Sequence, residues 1–111
     1  MRDDRVYLRH IRDAIQLIEA YTRRGRDAFL SDSMVRDAVL RNLEVIGEAV
    51  KNLSSDIRAR RAGVPWQRIA GLRDVLIHQY FGVDRELVWE IVEIRLPELK
   101  GHVDTLLGEI E

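Results

Sequence analysis

Apolar residues recur along this chain at alternating spacings of three and four, and no segment alternates with period two for long enough to make a strand. That periodicity places one buried stripe on each of several helices and confines the chain to an all-α architecture. From Asp3 to about Arg24 the stripe reads Tyr7, Ile11, Ala14/Ile15, Ile18 and Tyr21. Arg23-Arg24-Gly25 then supplies a basic last turn and a glycine stop. A second long helix, capped by Ser31 or Asp32 and reaching about Leu53, carries Val35, Val39, Leu43, Ile46, Val50 and Leu53.

Short polar or Gly/Pro punctuation separates the remaining pieces. Residues 26–30 form a short turn or helical piece, and Ser54-Ser55-Asp56 signals a fresh cap for a short helix through Arg61. Gly63-Val-Pro65 breaks the chain, and Pro65 suits the first turn of a helix from Trp66 to about Tyr80. Asp84 caps the last helix, which Pro97 should kink or divide. The expected fold is therefore an up-and-down bundle of four main helices plus short helical pieces, one domain over residues 1–111. A bundle this small exposes much of its surface, and its heptad-like spacing favours a homodimer.

Composition narrows the setting. Cysteine is absent, which excludes disulfides and thiolate metal sites and suits a reducing cytoplasm. No apolar run is long enough for a bilayer, and Met-Arg-Asp-Asp-Arg leads straight into a helical pattern, so neither a membrane span nor a signal peptide is expected. A net charge of −1 argues against a non-specific nucleic-acid coat but not against a nuclease, which needs only local positive potential. Lys51 and Lys100 are the only lysines, so arginine, the better forked phosphate ligand, carries nearly all the positive charge. Most of these arginines, interleaved with carboxylates, are expected to lace the surface with ion pairs.

Chemistry concentrates in Gly71-Leu-Arg-Asp-Val-Leu-Ile-His-Gln-Tyr-Phe-Gly82, where Arg73, Asp74, His78 and Tyr80 fall within eight residues. Arginine can grip a phosphate through two hydrogen bonds, and histidine moves protons near neutral pH. At about 100° per residue, Arg73 and Tyr80 lie roughly 20° apart and Asp74 pairs with His78 at i, i+4, whereas Arg73 and His78 diverge by about 140°. Three arrangements would bring the last two together: a wrapping arginine, an unwound helix end near Gly82, or a two-fold partner that sets its Arg73 beside the first His78. The last lets one short motif build a complete cleft.

The chemistry that suits these groups is attack of a ribose 2′-hydroxyl on the adjacent phosphorus. His78 would transfer a proton, Arg73 would stabilise the phosphorane charge, and Asp74 would orient one of them. Tyr80 would bond phosphate or stack on a base. One histidine among scattered carboxylates is not a metal-ligand pattern, so no metal or cofactor is expected. Duller roles exist for each: a histidine at the negative end of a helix, a local Asp–His pair, a tyrosine at the edge of the core. His10 and His102 sit in ordinary helical contexts, and Trp66 and Trp89 read as core anchors. Gly47-Glu48 interrupts a helix at some cost; close helix packing explains Gly47, and a polar contact from Glu48 into the cleft is the functional reading.

The segment Val64-Pro-Trp66-Gln-Arg-Ile-Ala-Gly71-Leu-Arg73-Asp-Val-Leu-Ile-His78-Gln-Tyr80-Phe-Gly-Val-Asp84 is similar throughout to HepT-like toxins of the HEPN superfamily. So are Arg41-Asn-Leu-Glu-Val-Ile-Gly47-Glu48-Ala upstream, and Val88-Trp89-Glu-Ile-Val and Leu96-Pro97-Glu-Leu99 downstream. The resemblance implies a homodimeric all-α HEPN bundle whose two Arg-x4-His segments share a cleft. It implies a metal-independent ribonuclease toxin with Arg73 and His78 as catalytic pair and Asp74 as the polar residue after the arginine. It also implies a minimal nucleotidyltransferase antitoxin of the MntA type, which transfers AMP to the motif tyrosine, matched here by Tyr80. A phosphate added beside Arg73 would compete with RNA phosphate and block the cleft. The alternative is a non-catalytic helical adaptor that binds nucleotide or presents it to a nucleotidyltransferase. A plain helical scaffold would leave the clustering of four suitable groups unexplained.

Overall fold

The computed structural model describes residues 3–78 and 84–110, with the backbone alone over 73–78. These residues are helical with no strand among them, in agreement with the periodicity. Helix α1 spans Asp4–Tyr21 and starts where the Asp3 carboxylate accepts the Arg5 N–H at 3.0 Å. The Arg5 hydrogen bonds that close this cap hold the Asp3 carboxyl below its ordinary range. Its buried stripe is Leu8, Ile11, Ala14, Ile15 and Ile18. The expected stripe is thus centred one position off at its start. Tyr7 is half-buried and Tyr21 exposed, because a tyrosine at the edge of an apolar face keeps its hydroxyl in water while Leu8 takes the interior. The helix ends at Tyr21 rather than Arg24, and Gly25, at φ 93°, makes the left-handed turn into the next element.

Helix α2 is Arg26–Ser31, and Phe29 is its buried residue. The Arg36 guanidinium donates to the carbonyls of Phe29 and Leu30 at its C-terminal end. Asp32 caps α3 (Ser33–Lys51) by accepting from Met34 N–H at 2.9 Å. Val39, Leu43, Ile46 and Val50 of α3 are fully buried. Ser54 caps the short α4 (Ser55–Arg60). Helix α5 runs Trp66–His78, and Asp84 caps α6 (Arg85–Glu90) through the Glu86 and Leu87 N–H groups. A π-helical turn over Ile91–Arg95 joins α6 to α7, Leu96–Ile110. Pro97 explains that turn. In a continuous α-helix its ring would press on the carbonyl four residues back and its missing N–H would orphan it. The chain widens instead, and the Leu96 N–H donates to Ile91 O, five residues behind. Pro97 thus sits at the division of the last helix into α6 and α7, just past the π-turn.

Long-range polar contacts give the topology. Asp4, at the start of α1, accepts both the N–H and the hydroxyl of Ser54, just past the end of α3, so α1 and α3 are antiparallel. Trp66 opens α5 beside α4, at the same end. Lys100, near the start of α7, binds Glu19 near the end of α1, and Glu109 at the other end of α7 meets Arg60 and Arg61. The four main helices therefore run up, down, up, down. α3 lies against both α1 and α5, and α7 closes the core on α1. The Phe29 and Trp89 rings, 5.4 Å apart, join α2 to α6, and an Arg26–Glu86 ion pair bridges the same two helices outside. No helix of the described residues is long and apolar enough to cross a membrane.

Candidate active site

The motif helix is fixed from its first turn. The Trp66 indole N–H is shared between the carbonyls of Arg58 and Arg61, at 3.1 and 3.0 Å, and the ring is buried. These two carbonyls close the C-terminal end of α4, so the indole both caps α4 and sets where α5 departs. Ile69, Ala70 and Leu72 then pack against the core from one side of α5. Gly47, buried in α3, lies in the helix that α5 packs against, consistent with close helix packing as its structural role.

Arg73, Asp74 and His78 follow on the same helix, whose backbone is α-helical through His78. Over that span the ideal separation of Arg73 and His78 around the axis is about 140°. Unwinding between the two is thus not what would bring them together. A wrapping arginine or a second subunit remains. Tyr80 lies outside the described residues. Glu48 is exposed on α3, the helix on which α5 rests.

Glu48 borders a groove of about 630 Å³ between α1 and α3. Tyr7 and His10 form one wall, their rings edge to face at 6.0 Å and 90°. Arg41, Glu44 and Asn52 line the other with Glu48. Arg41 stands 3.8 Å from Glu44, with its side chain 75% exposed against 26% for the carboxylate. The Asn52 amide donates to Glu48 O at 2.9 Å. The sequence reading singled out only Glu48 of this set. One signal was available: Arg41, Val45, Glu48 and Asn52 recur at four, three and four, a second stripe on α3 opposite its core stripe. Their companions on α1 sit more than thirty residues away and could not be matched to them by spacing.

A second depression, of about 400 Å³, is lined by Asp84, Glu86, Glu90 and Glu93 with Leu87 and Trp89. Its charge is wrong for a phosphate backbone. Among the described residues no three His, Cys, Asp or Glu side chains gather as a metal site. Trp89 is half-buried against Phe29 and His102 is half-buried on α7, in keeping with structural roles.

Comparison with known proteins identifies the family. The family described as Ribonuclease HepT-like matches residues 11–106, which include α3, the groove wall on it and all of α5. A protein of Caldanaerobacter subterraneus subsp. tengcongensis named "Putative RNase TTE0752" is 43% identical over 108 residues, 96% of each chain. A "Probable ribonuclease HepT" of Thermococcus cleftensis is 43% identical over 106 residues, 95% of this chain and 96% of its own. "Gamma-glutamylcyclotransferase and putative RNase MJ0434" of Methanocaldococcus jannaschii is 41% identical over 111 residues, 99% of this chain but half of that protein. No solved structure matches the chain. An all-helical bundle, a family match across most of its length and full-length relatives of the same size together make this chain a member of the HepT-like ribonuclease family, with ribonuclease as its enzyme class.

Proposed function

We propose that this protein is the toxin of a toxin–antitoxin pair, a metal-independent endoribonuclease that cuts tRNA or mRNA. The observation that supports it best is the placing of Arg73 and His78 on one helix, α5, inside the span matched by the ribonuclease family. In this reading the 2′-oxygen attacks phosphorus as His78 takes or delivers the proton, and the P–O5′ bond breaks as the 5′-oxygen is protonated. A role of that kind is typically worth about 10²–10⁴ in rate. Arg73 neutralises charge on the non-bridging oxygens, and Asp74 orients the imidazole or the guanidinium. Two subunits contribute to each cleft, because the helical phase of about 140° separates Arg73 and His78 within one copy. Tyr80 and Glu48 complete the RNA contacts.

Control comes from a nucleotidyltransferase antitoxin of the MntA type that places AMP on the Tyr80 hydroxyl. The added phosphate brings negative charge and bulk to the mouth of the cleft. Purified protein should shorten tRNA in the presence of EDTA, and His78→Ala should remove cleavage and growth arrest together. Growth arrest that persists in His78→Ala, or RNA left intact at every enzyme concentration, would favour the non-catalytic adaptor instead. Coexpression with the antitoxin should add the mass of AMP to the peptide holding Tyr80; an unmodified peptide beside active antitoxin refutes that part.

A further inference from the structure

Of the groove between α1 and α3 the chemistry above uses only Glu48, yet the other residues of its walls include the three kinds of group that hold a single-stranded nucleotide. An aromatic pair, Tyr7 and His10, offers ring surface, and His10 is exposed. Bases stack on such surfaces with little regard to sequence, and such stacking acts together with cations that track the backbone in single-strand binding. Arg41 offers a guanidinium on a side chain three-quarters exposed, within ion-pair distance of Glu44. Glu44 is also an acceptor beside the rings, of the kind that receives the amino group of a base. A volume of about 630 Å³ lies within the roughly 300–1,000 Å³ typical of small-molecule sites.

Position ties the groove to the motif. α3 is the shared wall, with α5 packed against it and α1 forming the far side of the groove. Crossing one helix means covering about 10–12 Å, a span of only a couple of nucleotides along an extended strand. A strand that runs from α5 across α3 meets the α1–α3 groove within a couple of nucleotides of the cut. Among the described residues the lining of the acidic depression beside α6 holds no cation, so these residues offer the strand no comparable seat.

From this juxtaposition we infer that the α1–α3 groove is a subsite for a nucleotide flanking the scissile bond, its base against His10 and Tyr7 and its phosphate against Arg41. The inference deepens the ribonuclease reading and rests on it for the identity of the strand. It makes His10 and Arg41 positioning residues that seat the nucleotide and Glu44 the acceptor that then discriminates its base, none of them catalytic. Sequence preference beside the cut then comes from a surface built by α1 and α3, outside the Arg-x4-His motif.

The test uses the full chain and a fluorescein-labelled heptanucleotide RNA of mixed sequence, fully 2′-O-methylated so that it cannot be cut. His10→Ala combined with Arg41→Gln should weaken its binding about tenfold, with helicity and sedimentation unchanged. On cleavable RNA the same variant should flatten the distribution of bases found beside the cut. Unchanged affinity and an unchanged base distribution would overturn the inference. So would a variant that falls apart into smaller species and loses RNA binding only as a consequence, since the groove would then be a seat for a second copy of the chain. If the wild type binds the blocked RNA through this groove but cuts no RNA, the subsite stands and the ribonuclease reading falls.

Discussion

α1 and α5 both lie against α3, and their described side chains are buried to different degrees. α1 is held along its whole length: Leu8, Ile11, Ile15 and Ile18 are each 0% exposed. In the described part of α5 only Trp66 is buried, and Ile69, Ala70 and Leu72 are half-covered. The first helix is stabilised by apolar area, roughly 1.5–3 kcal/mol for each large side chain removed from water. The second is fixed at its first turn by an indole wedged into the close of α4 and carries Arg73 and His78, the proposed catalytic pair, further along. Over the described residues the division of labour puts the fully buried stripes in α1, α3 and α7, and assigns to α5 the residues proposed for catalysis.

That contrast can be broken by separating stability from activity. Ile15→Ala opens a cavity in the fully buried stripe of α1 and should cost about 2–5 kcal/mol in urea unfolding. RNA cleavage well below the melting temperature should survive it. Loss of cleavage in a protein still folded would mean that α1 shapes the motif directly. Trp66→Phe keeps a ring but removes the indole donor from the Arg58 and Arg61 carbonyls, which keep the Arg61 and Val64 backbone N–H groups as partners, so the expected cost is about 0.5–1.5 kcal/mol. Because the indole aims α5, this change should lower cleavage disproportionately to its effect on stability, the reverse of Ile15→Ala. Equal activity losses in the two variants would erase the distinction between the helices. Asp84→Ala removes the cap of α6 and should cost about 1 kcal/mol, visible as a small fall in melting temperature. No fall at all would show that the Arg26–Glu86 bridge and the Phe29–Trp89 contact already hold α6 without its cap.

Much of this division was readable from residues alone, where the determinants are local. Asp32, Ser54 and Asp84 announced helix starts because a short polar side chain meets its own backbone within three residues. The core stripe of α3 and the interruption at Pro97 were also local facts. The π-turn was not, since a proline states that the α-pattern fails and leaves open how the chain absorbs it. Leu8 was missed in favour of Tyr7 and Tyr21 because periodicity weighs apolar residues alike, whereas burial favours the side chain with no hydroxyl to hydrate. The groove lay furthest from view. His10 looks ordinary on its own helix and acquires meaning only when Arg41 and Glu44 arrive from another. Within the motif, spacing alone exposed the phase conflict between Arg73 and His78, and the α-helical backbone through His78 keeps that conflict in force.

The chemistry of the RNA ends tests the central claim most directly. Attack by the 2′-oxygen should leave a 2′,3′-cyclic phosphate on one fragment and a 5′-hydroxyl on the other, in EDTA, and a single 2′-deoxy substitution at the cut should stop the reaction. Fragments bearing 5′-phosphates, or continued cutting of the deoxy-substituted strand, would contradict it.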